Sequence, residues 1–112
     1  MEDQPQIGKI TIAPGVLEDV ARLTTLAVPG VTRLVSPQGV WRLLRQDGVK
    51  LEVIGNSVRV ELYVVTEPDV NMLKVSHQIQ AEVTRAIHDM VGMEVTSVDV
   101  HIKDVARPSG AA

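Results

Sequence analysis

The chain has 112 residues, of which 45% are hydrophobic and 22% charged, and its formal net charge is -3. This length suits one domain with a single core, and the apolar content is too high for a disordered chain. The absence of cysteine excludes disulfides, iron–sulfur clusters, thiolate zinc sites and a cysteine nucleophile. An acidic chain with one Trp and one Tyr also lacks the clustered cations and stacking rings that nucleic-acid binding requires, so we expect no nucleic-acid partner.

Nothing in the sequence favours export or insertion into a membrane. Residues 1–6 are polar and carry two acids, so they lack the basic start and apolar run of a signal peptide. No apolar stretch approaches the roughly 20 residues that are needed to cross a bilayer. We therefore expect a cytoplasmic domain without direct membrane insertion, for which any peripheral association with the membrane must come through a partner.

The first half of the chain is predicted to contain two strands and one clear helix. The alternation of polar and apolar residues in Lys9–Ile12 predicts a short first strand. Pro14 predicts the start of a helix, and Pro29 predicts that this helix ends one residue before it. The helical period predicts four core residues on it, namely Val16, Val20, Leu23 and Ala27. A second strand over 31–35 and a short helix within 38–46 are predicted to follow.

Two alternating apolar runs separated by Gly55-Asn56 predict a β-hairpin over 49–65, because this pair supplies the positive φ values of a two-residue turn. Counting outward from the turn predicts six cross-strand pairs: Ile54 with Ser57, Val53 with Val58, Glu52 with Arg59, Leu51 with Val60, Lys50 with Glu61, and Val49 with Leu62. The apolar pairs then share one side of the sheet, and the two pairs of opposite charge share the other. A slip by one residue would expose the valines and lose both charge matches.

The second half of the chain shows the longest helical period, over residues 71–91. Asn71 or Asp69 is the predicted N-cap, and Gly92 is the predicted stop. The apolar stripe of this helix has seven members: Met72, Val75, Ile79, Val83, Ala86, Ile87 and Met90. A final strand over 95–105 is predicted to alternate between two faces, with Val98, Val100 and Ile102 on one and Asp99, His101 and Lys103 on the other.

Together these elements predict an α/β fold of the α+β kind, in the order β-α-β-(short α)-β-β-α-β. We expect a two-layer sandwich in which the helices pack on one face of a small mixed sheet. One domain is predicted over residues 8–105, between disordered tails at 1–7 and 106–112. The uncovered face of the sheet, called here the polar face, is the candidate protein-interaction surface, and six residues are predicted to form it: Lys50, Glu52, Arg59, Glu61, Tyr63 and His101.

The sequence contains no recognisable catalytic constellation. His77 and His88 are separated by roughly 16 Å along a helix, so they cannot share a metal ion. No serine has the Gly-x-Ser-x-Gly context of a nucleophile elbow, and the glycines match neither common phosphate-binding fingerprint. We therefore expect no catalytic residue, no cofactor and no metal site.

Five segments, in their order and spacing, resemble the bacterial alkaline shock protein family, also called the envelope stress response or general stress protein family. They are VPGV at 28–31, GVKLEV at 48–53, VRVELYVV at 58–65, IQAEV at 79–83 and VDVHI at 98–102. The resemblance covers roughly residues 8 to 105 and implies a cytoplasmic α/β domain with no known catalytic residue or cofactor. It also implies a role in cell-envelope homeostasis, since some members gather beneath the membrane through a separate membrane-anchored partner. Ser36–Asp47 is shorter than the helix-forming insert that members often carry there, which leaves the choice of partner open.

Two functions from different classes follow from these observations. The first is a non-enzymatic scaffold or adaptor that forms a homo-oligomer and binds a protein partner, including a membrane-anchored one. Exposed strand edges favour it, because an unprotected edge can pair with another chain. The alternative is a small-molecule sensor or enzyme with a pocket between the helices and the sheet, to which His101 or His88 contributes.

Overall fold

The computed structural model describes residues 7–36 and 48–106, which form two helices and one four-stranded sheet. The elements, in chain order, are α1 (Pro14–Leu26), β1 (Val31–Leu34), β2 (Val49–Ile54), β3 (Ser57–Thr66), α2 (Met72–Val91) and β4 (Glu94–Val105). The sheet is mixed, since β3 pairs antiparallel with β1 and β2 and parallel with β4. The predicted α/β class, with helices on one face of a mixed sheet, is confirmed.

The core lies between the helices and the inner face of β3, the central strand. Four alternate residues of β3 are fully buried: Val58, Val60, Leu62 and Val64. Alternate side chains of a strand point to the same face, so this row forms the floor of the core. From α2, the residues that cover it are Val75, Ile79, Val83 and Ile87. The long strand-helix-strand unit β3-α2-β4 is therefore the framework on which α1, β1 and β2 pack.

One edge of the sheet is a split strand, because β1 and β2 lie end to end along the same side of β3. Leu34 pairs with Val64, and Val49 pairs with Leu62. The backbone of Tyr63 joins the two halves: its carbonyl accepts from the Val35 N–H at 2.9 Å, and its N–H donates to the Gly48 carbonyl at 2.9 Å. These two bonds place Val35 and Gly48 next to each other along β3.

The predicted hairpin register is confirmed at all six positions, from Val49 opposite Leu62 to Ile54 opposite Ser57. At the turn only Gly55 has a positive φ, of 60°, and Asn56 does not. This differs from the prediction that both residues supply positive φ values. A positive φ at the first central position alone is typical of a type II′ turn, which glycine at that position favours.

Helix α2 has the predicted ends. The Asn71 side chain accepts from the Lys74 N–H at 2.9 Å, and Gly92 adopts a left-handed conformation with φ 79° at the C-terminus. The prediction of its core stripe was too wide, because Met72 and Met90 are exposed. They are the first and last members of the stripe, and the members between them are buried or partly buried.

The core face of α1 was predicted wrongly. Val20 is buried as expected, but Val16, Leu23 and Ala27 are exposed, and the other buried residues of the helix are Leu17, Ala21 and Thr25. The two apolar stripes are both compatible with the helical period. A threonine is tolerated in the buried stripe because its hydroxyl donates to the Ala21 carbonyl at 2.7 Å.

The first predicted strand, Lys9–Ile12, is not a strand. Residues 7–13 form neither helix nor sheet, and Ile10 is 90% exposed. Four alternating residues do not specify which edge they would join, and residues 7–13 pair with none of the strands β1–β4. The short helix predicted within 38–46, and residues 1–6 and 107–112 of the predicted tails, lie outside the described residues.

Candidate protein-interaction face

The structure brings the six residues of the polar face together on the side of the sheet opposite the helices. β2 contributes Lys50 and Glu52, β3 contributes Arg59, Glu61 and Tyr63, and β4 contributes His101. The pairing of the three strands places them in rows: Glu52 beside Arg59, Lys50 beside Glu61, and Tyr63 beside His101. In each of these strands the alternation that buries apolar residues against the helices turns these side chains outward.

Three of these side chains form one contact cluster. The Tyr63 hydroxyl donates to Glu61 Oε1 at 2.7 Å, and the rings of Tyr63 and His101 stack with centroids 4.6 Å apart and planes 13° from parallel. His101 Nε2 lies 3.6 Å from the same Glu61 oxygen. The three groups are therefore in mutual proximity, with Glu61 Oε1 accepting from the Tyr63 hydroxyl and the two rings in stacking contact.

The remaining members of the face are held more loosely. Arg59 Nη1 lies 3.4 Å from Glu52 Oε1, and both side chains are more than half exposed. Surface ion pairs of this kind contribute about 0–1 kcal/mol to stability. Lys50 faces Glu61 across the hairpin, close enough for its charge to act on that carboxylate. The charges of Lys50, Glu52 and Arg59 are therefore available to a partner at little cost.

The hydrogen bond between Tyr63 and Glu61 shifts the pKa of both groups. It is the largest cause of the lowered pKa of Glu61; burial opposes the shift, and the charges of Lys50, His101 and Arg59 reinforce it. The same bond, with burial and the negative charges of Glu61 and Asp99, raises the pKa of Tyr63 to about 12. Because the pKa of Glu61 is lowered, its stabilising contribution is present above its ordinary value of 4.5 and is lost as the pH falls through the lowered value.

Titration of the single tyrosine measures this cluster directly. We expect the near-ultraviolet absorbance of tyrosinate to show a midpoint of about 12 in the folded chain, against 10.0 for an unperturbed tyrosine. Glu61→Gln removes the negative charge that disfavours tyrosinate, so the midpoint should move down toward the unperturbed value. Glu52→Gln removes a carboxylate from the same face without touching Tyr63 and should leave it unchanged. A wild-type midpoint at the unperturbed value would show that the bond does not form in solution.

β4 carries two further exposed charged residues that were not among the six predicted members of the polar face. Asp99 pairs with Glu61 across β3 and β4, and its charge acts on Tyr63. Lys103 is exposed, and it falls at the irregularity where the pairing passes from Val64 with Ile102 to Val65 with Asp104. The signal that identifies them is the alternation of β4, which had already assigned both to the outward side.

The structure separates the histidines from any helix–sheet pocket. His101 lies on the polar face, on the side of the sheet away from the helices, and His88 is exposed on α2, 3.3 Å from Asp89. The predicted contribution of either histidine to a pocket between helices and sheet was therefore wrong. Over residues 7–36 and 48–106, no three potential ligand side chains converge on a point that could hold a metal ion. Neither α1 nor α2, the helices in those residues, is long and apolar enough to span a bilayer.

Comparison with solved structures supports the fold. The structure titled "MamM-CTD 215-293" superposes with a TM-score of 0.54 over 82% of this chain and 99% of that one, at 13% sequence identity. At this identity the likeness concerns the fold alone.

Comparison with curated sequences gives relatives that span nearly the whole chain. The uncharacterized protein Spy1535 of Streptococcus pyogenes serotype M6 is 29% identical over 111 residues, covering 88% of this chain and 80% of that protein. The uncharacterized protein YloU of Bacillus subtilis is 22% identical over 113 residues, covering 94% of both. The model of the alkaline shock protein 23 family, described as having a cell envelope-related function, matches residues 2–107, so the chain belongs to this family and the resemblance to alkaline shock proteins is confirmed.

Proposed function

We propose that this chain is a non-enzymatic cytoplasmic scaffold or adaptor that self-associates and binds a protein partner in cell-envelope homeostasis. The observation that carries the proposal is the polar face, a sheet surface that neither α1 nor α2 covers and on which Glu61, Tyr63 and His101 contact one another. A surface whose side chains are fixed before binding loses less conformational entropy on association. The family description, which relates its members to the cell envelope, supports the setting.

The outer edge of β4 supports self-association. This strand is twelve residues long and pairs with β3 on one side, and none of the strands in 7–36 or 48–106 pairs with its other side. A long unpaired edge presents a row of backbone donors and acceptors to which another chain can add a strand. The polar face and this edge adjoin along β4, so one partner can contact both.

Placement at the membrane is proposed to depend on a partner with its own anchor. The net charge of -3 does not favour direct binding to an anionic membrane surface, which attracts clustered basic residues. In fractionated cells of the source organism we expect the chain in the membrane pellet only while that partner is present. If the chain still sediments with the membranes of cells from which the membrane proteins that co-purify with it have been deleted, this part of the proposal is contradicted.

Light scattering on the purified chain tests the role of the polar face. We expect a mass above that of one chain at high micromolar concentration, and a lower mass for Tyr63→Ala/His101→Ala, which removes the stacked rings. The matched control is His77→Ala/His88→Ala, which removes two exposed side chains of α2 and should keep the wild-type mass. A strict monomer that also recovers no partner in affinity purification would overturn the proposal.

The small-molecule alternative receives no specific support. The described depressions are open to solvent, and the one at the N-terminus of α1 has charged side chains, Glu18, Asp19 and Arg22, among its lining residues. A melting temperature that rises with one metabolite or metal in a panel would revive this alternative, since a ligand bound to the folded chain stabilises it.

A further inference from the structure

Helices α1 and α2 expose large apolar residues that the core does not use. Leu23 is 61% exposed and Met90 is 68% exposed, and with Ala27 and Ala86 they line one groove between the outer sides of the two helices. We call this surface, whose apolar floor is these four residues, the helix groove. The sequence assigned Leu23 and Met90 to the core, but neither is buried, so folding does not explain their apolar character.

The shape of the helix groove suits another helix. α1 and α2 run antiparallel, because Leu23 and Met90 line the helix groove while the later residue Pro29 and the earlier residue Gln78 line the neighbouring depression. The floor residues are spaced by four on each helix and therefore share one side of it. Grooves of this kind, apolar along the bottom and open along their length, receive the apolar stripe of an amphipathic helix.

The charged residues along the α2 side of the groove determine which charges the bound helix should carry. Glu82, Arg85 and Asp89 line it in that order, giving a negative, positive, negative row. The carboxylates are separated by two turns, roughly 10 Å along the axis. Arg85 is paired with Glu82 at 3.1 Å. Because both side chains are at least a third exposed, a charged residue of the bound helix can replace either member of this ion pair. The complementary row is basic, acidic, basic at positions i, i+3 or i+4, and i+7.

We propose that the helix groove binds an amphipathic helix of a partner protein whose apolar stripe is flanked by this basic, acidic, basic row. The proposal rests on the adaptor function above and names the chemistry of its partner. A second copy of this chain is a poorer occupant, because the row on α2 reads the same in both directions. Two α2 helices with their rows in register would place carboxylate against carboxylate and guanidinium against guanidinium.

Two synthetic peptides test the proposal on the full chain. They share one leucine stripe and differ in the flanking row, which is Lys-Glu-Lys in one and Glu-Lys-Glu in the other. By fluorescence anisotropy we expect the first to bind about tenfold more tightly at low ionic strength, with the difference shrinking in high salt. The variant Glu82→Lys/Arg85→Glu/Asp89→Lys should reverse the preference.

Matched variants test the floor of the groove. Met90→Glu is expected to reduce binding of the first peptide at least about tenfold, because it places a carboxylate in the apolar floor. Leu73→Glu is the control, since Leu73 is 67% exposed on the same helix and does not line the groove. If Met90→Glu fails to fold, the charge-reversed variant still decides the question.

Three results of the peptide-binding experiments would overturn the proposal. They are equal binding of both peptides, binding that neither the charge reversal nor Met90→Glu changes, and no binding of either peptide. A loss of mass by light scattering in Met90→Glu but not in Leu73→Glu would also overturn it, because the groove would then join two copies. If the peptides fail while Tyr63→Ala/His101→Ala still lowers the mass of the wild-type assembly, the adaptor function stands and only the groove assignment falls.

Discussion

Replacing Gly48 with alanine is expected to lower the free energy of unfolding by about 3 kcal/mol or more. Gly48 has φ 83°, a conformation that residues with a Cβ rarely adopt. A Cβ there would also lie 2.8 Å from Leu34 Cβ and 2.8 Å from the Val35 carbonyl oxygen. The first atom is bonded to the backbone and the second belongs to it, so relief requires the two halves of the split strand to move apart. Urea denaturation followed by far-ultraviolet circular dichroism measures the change.

Gly55→Ala is the matched control for this prediction. Gly55 also has a positive φ, of 60°, but an added Cβ there would meet no atom within 4 Å. Its cost should therefore be the backbone strain alone, about 1–2 kcal/mol. Equal losses for the two variants would show that β1 and β2 do not meet at Gly48 as described.

Replacing Ile79 with alanine is expected to lower the free energy of unfolding by about 3 kcal/mol. The side chain is fully buried in the middle of α2, within the core cluster that includes the valines of β3. Its removal loses the transfer free energy of the deleted carbons and leaves a cavity that the sheet cannot fill. Because small domains are stable by only about 5–15 kcal/mol, this is a large fraction of the total.

Leu73→Ala provides the comparison on the same helix. Leu73 is 67% exposed, and its loss should change the free energy of unfolding by about 0.5 kcal/mol or less. The same denaturation experiment serves for both. Comparable losses at the two positions would mean that α2 is rotated relative to the orientation described, which would also remove Met90 from the helix groove.

The parts of the fold that were predictable are those in which two independent signals agree. In the hairpin, the turn residue Gly55 and the charge pairs on the outer side demand the same register, and the structure has it. In α2, the cap Asn71 and the stop Gly92 bracket an apolar period of the right length. Local chemistry and burial pattern reinforce each other in both cases.

The parts that failed are those in which only one signal was present. On α1, two stripes have the helical period, and only packing against α2, β1 and β2 selects the one with Leu17 and Ala21. A strand at Lys9–Ile12 would need a partner that a short alternation cannot specify. Tertiary contacts determine both the buried stripe of α1 and the absence of a strand at Lys9–Ile12. The pattern of residues along the chain carries no information about these contacts.

The polar face was predictable because strand alternation alone determines which side of a sheet a residue occupies. The contacts within it were not, since the stacking of Tyr63 on His101 depends on β4 lying parallel to β3 in one register. That register includes irregularities between Val58 and Arg59 and between Val64 and Val65. No feature of the sequence predicts the positions of these irregularities.

The break in the edge strand has a consequence for how this domain can vary. Because the peptide groups of Tyr63 hold Val35 and Gly48 side by side, the ends of whatever lies between them are fixed by the sheet itself. Doubling the length of a loop with fixed ends costs only about 0.6 kcal/mol of closure entropy. Insertions between these two anchored positions are therefore expected to leave the sheet unchanged, and this is where we expect new recognition elements to be grafted most easily.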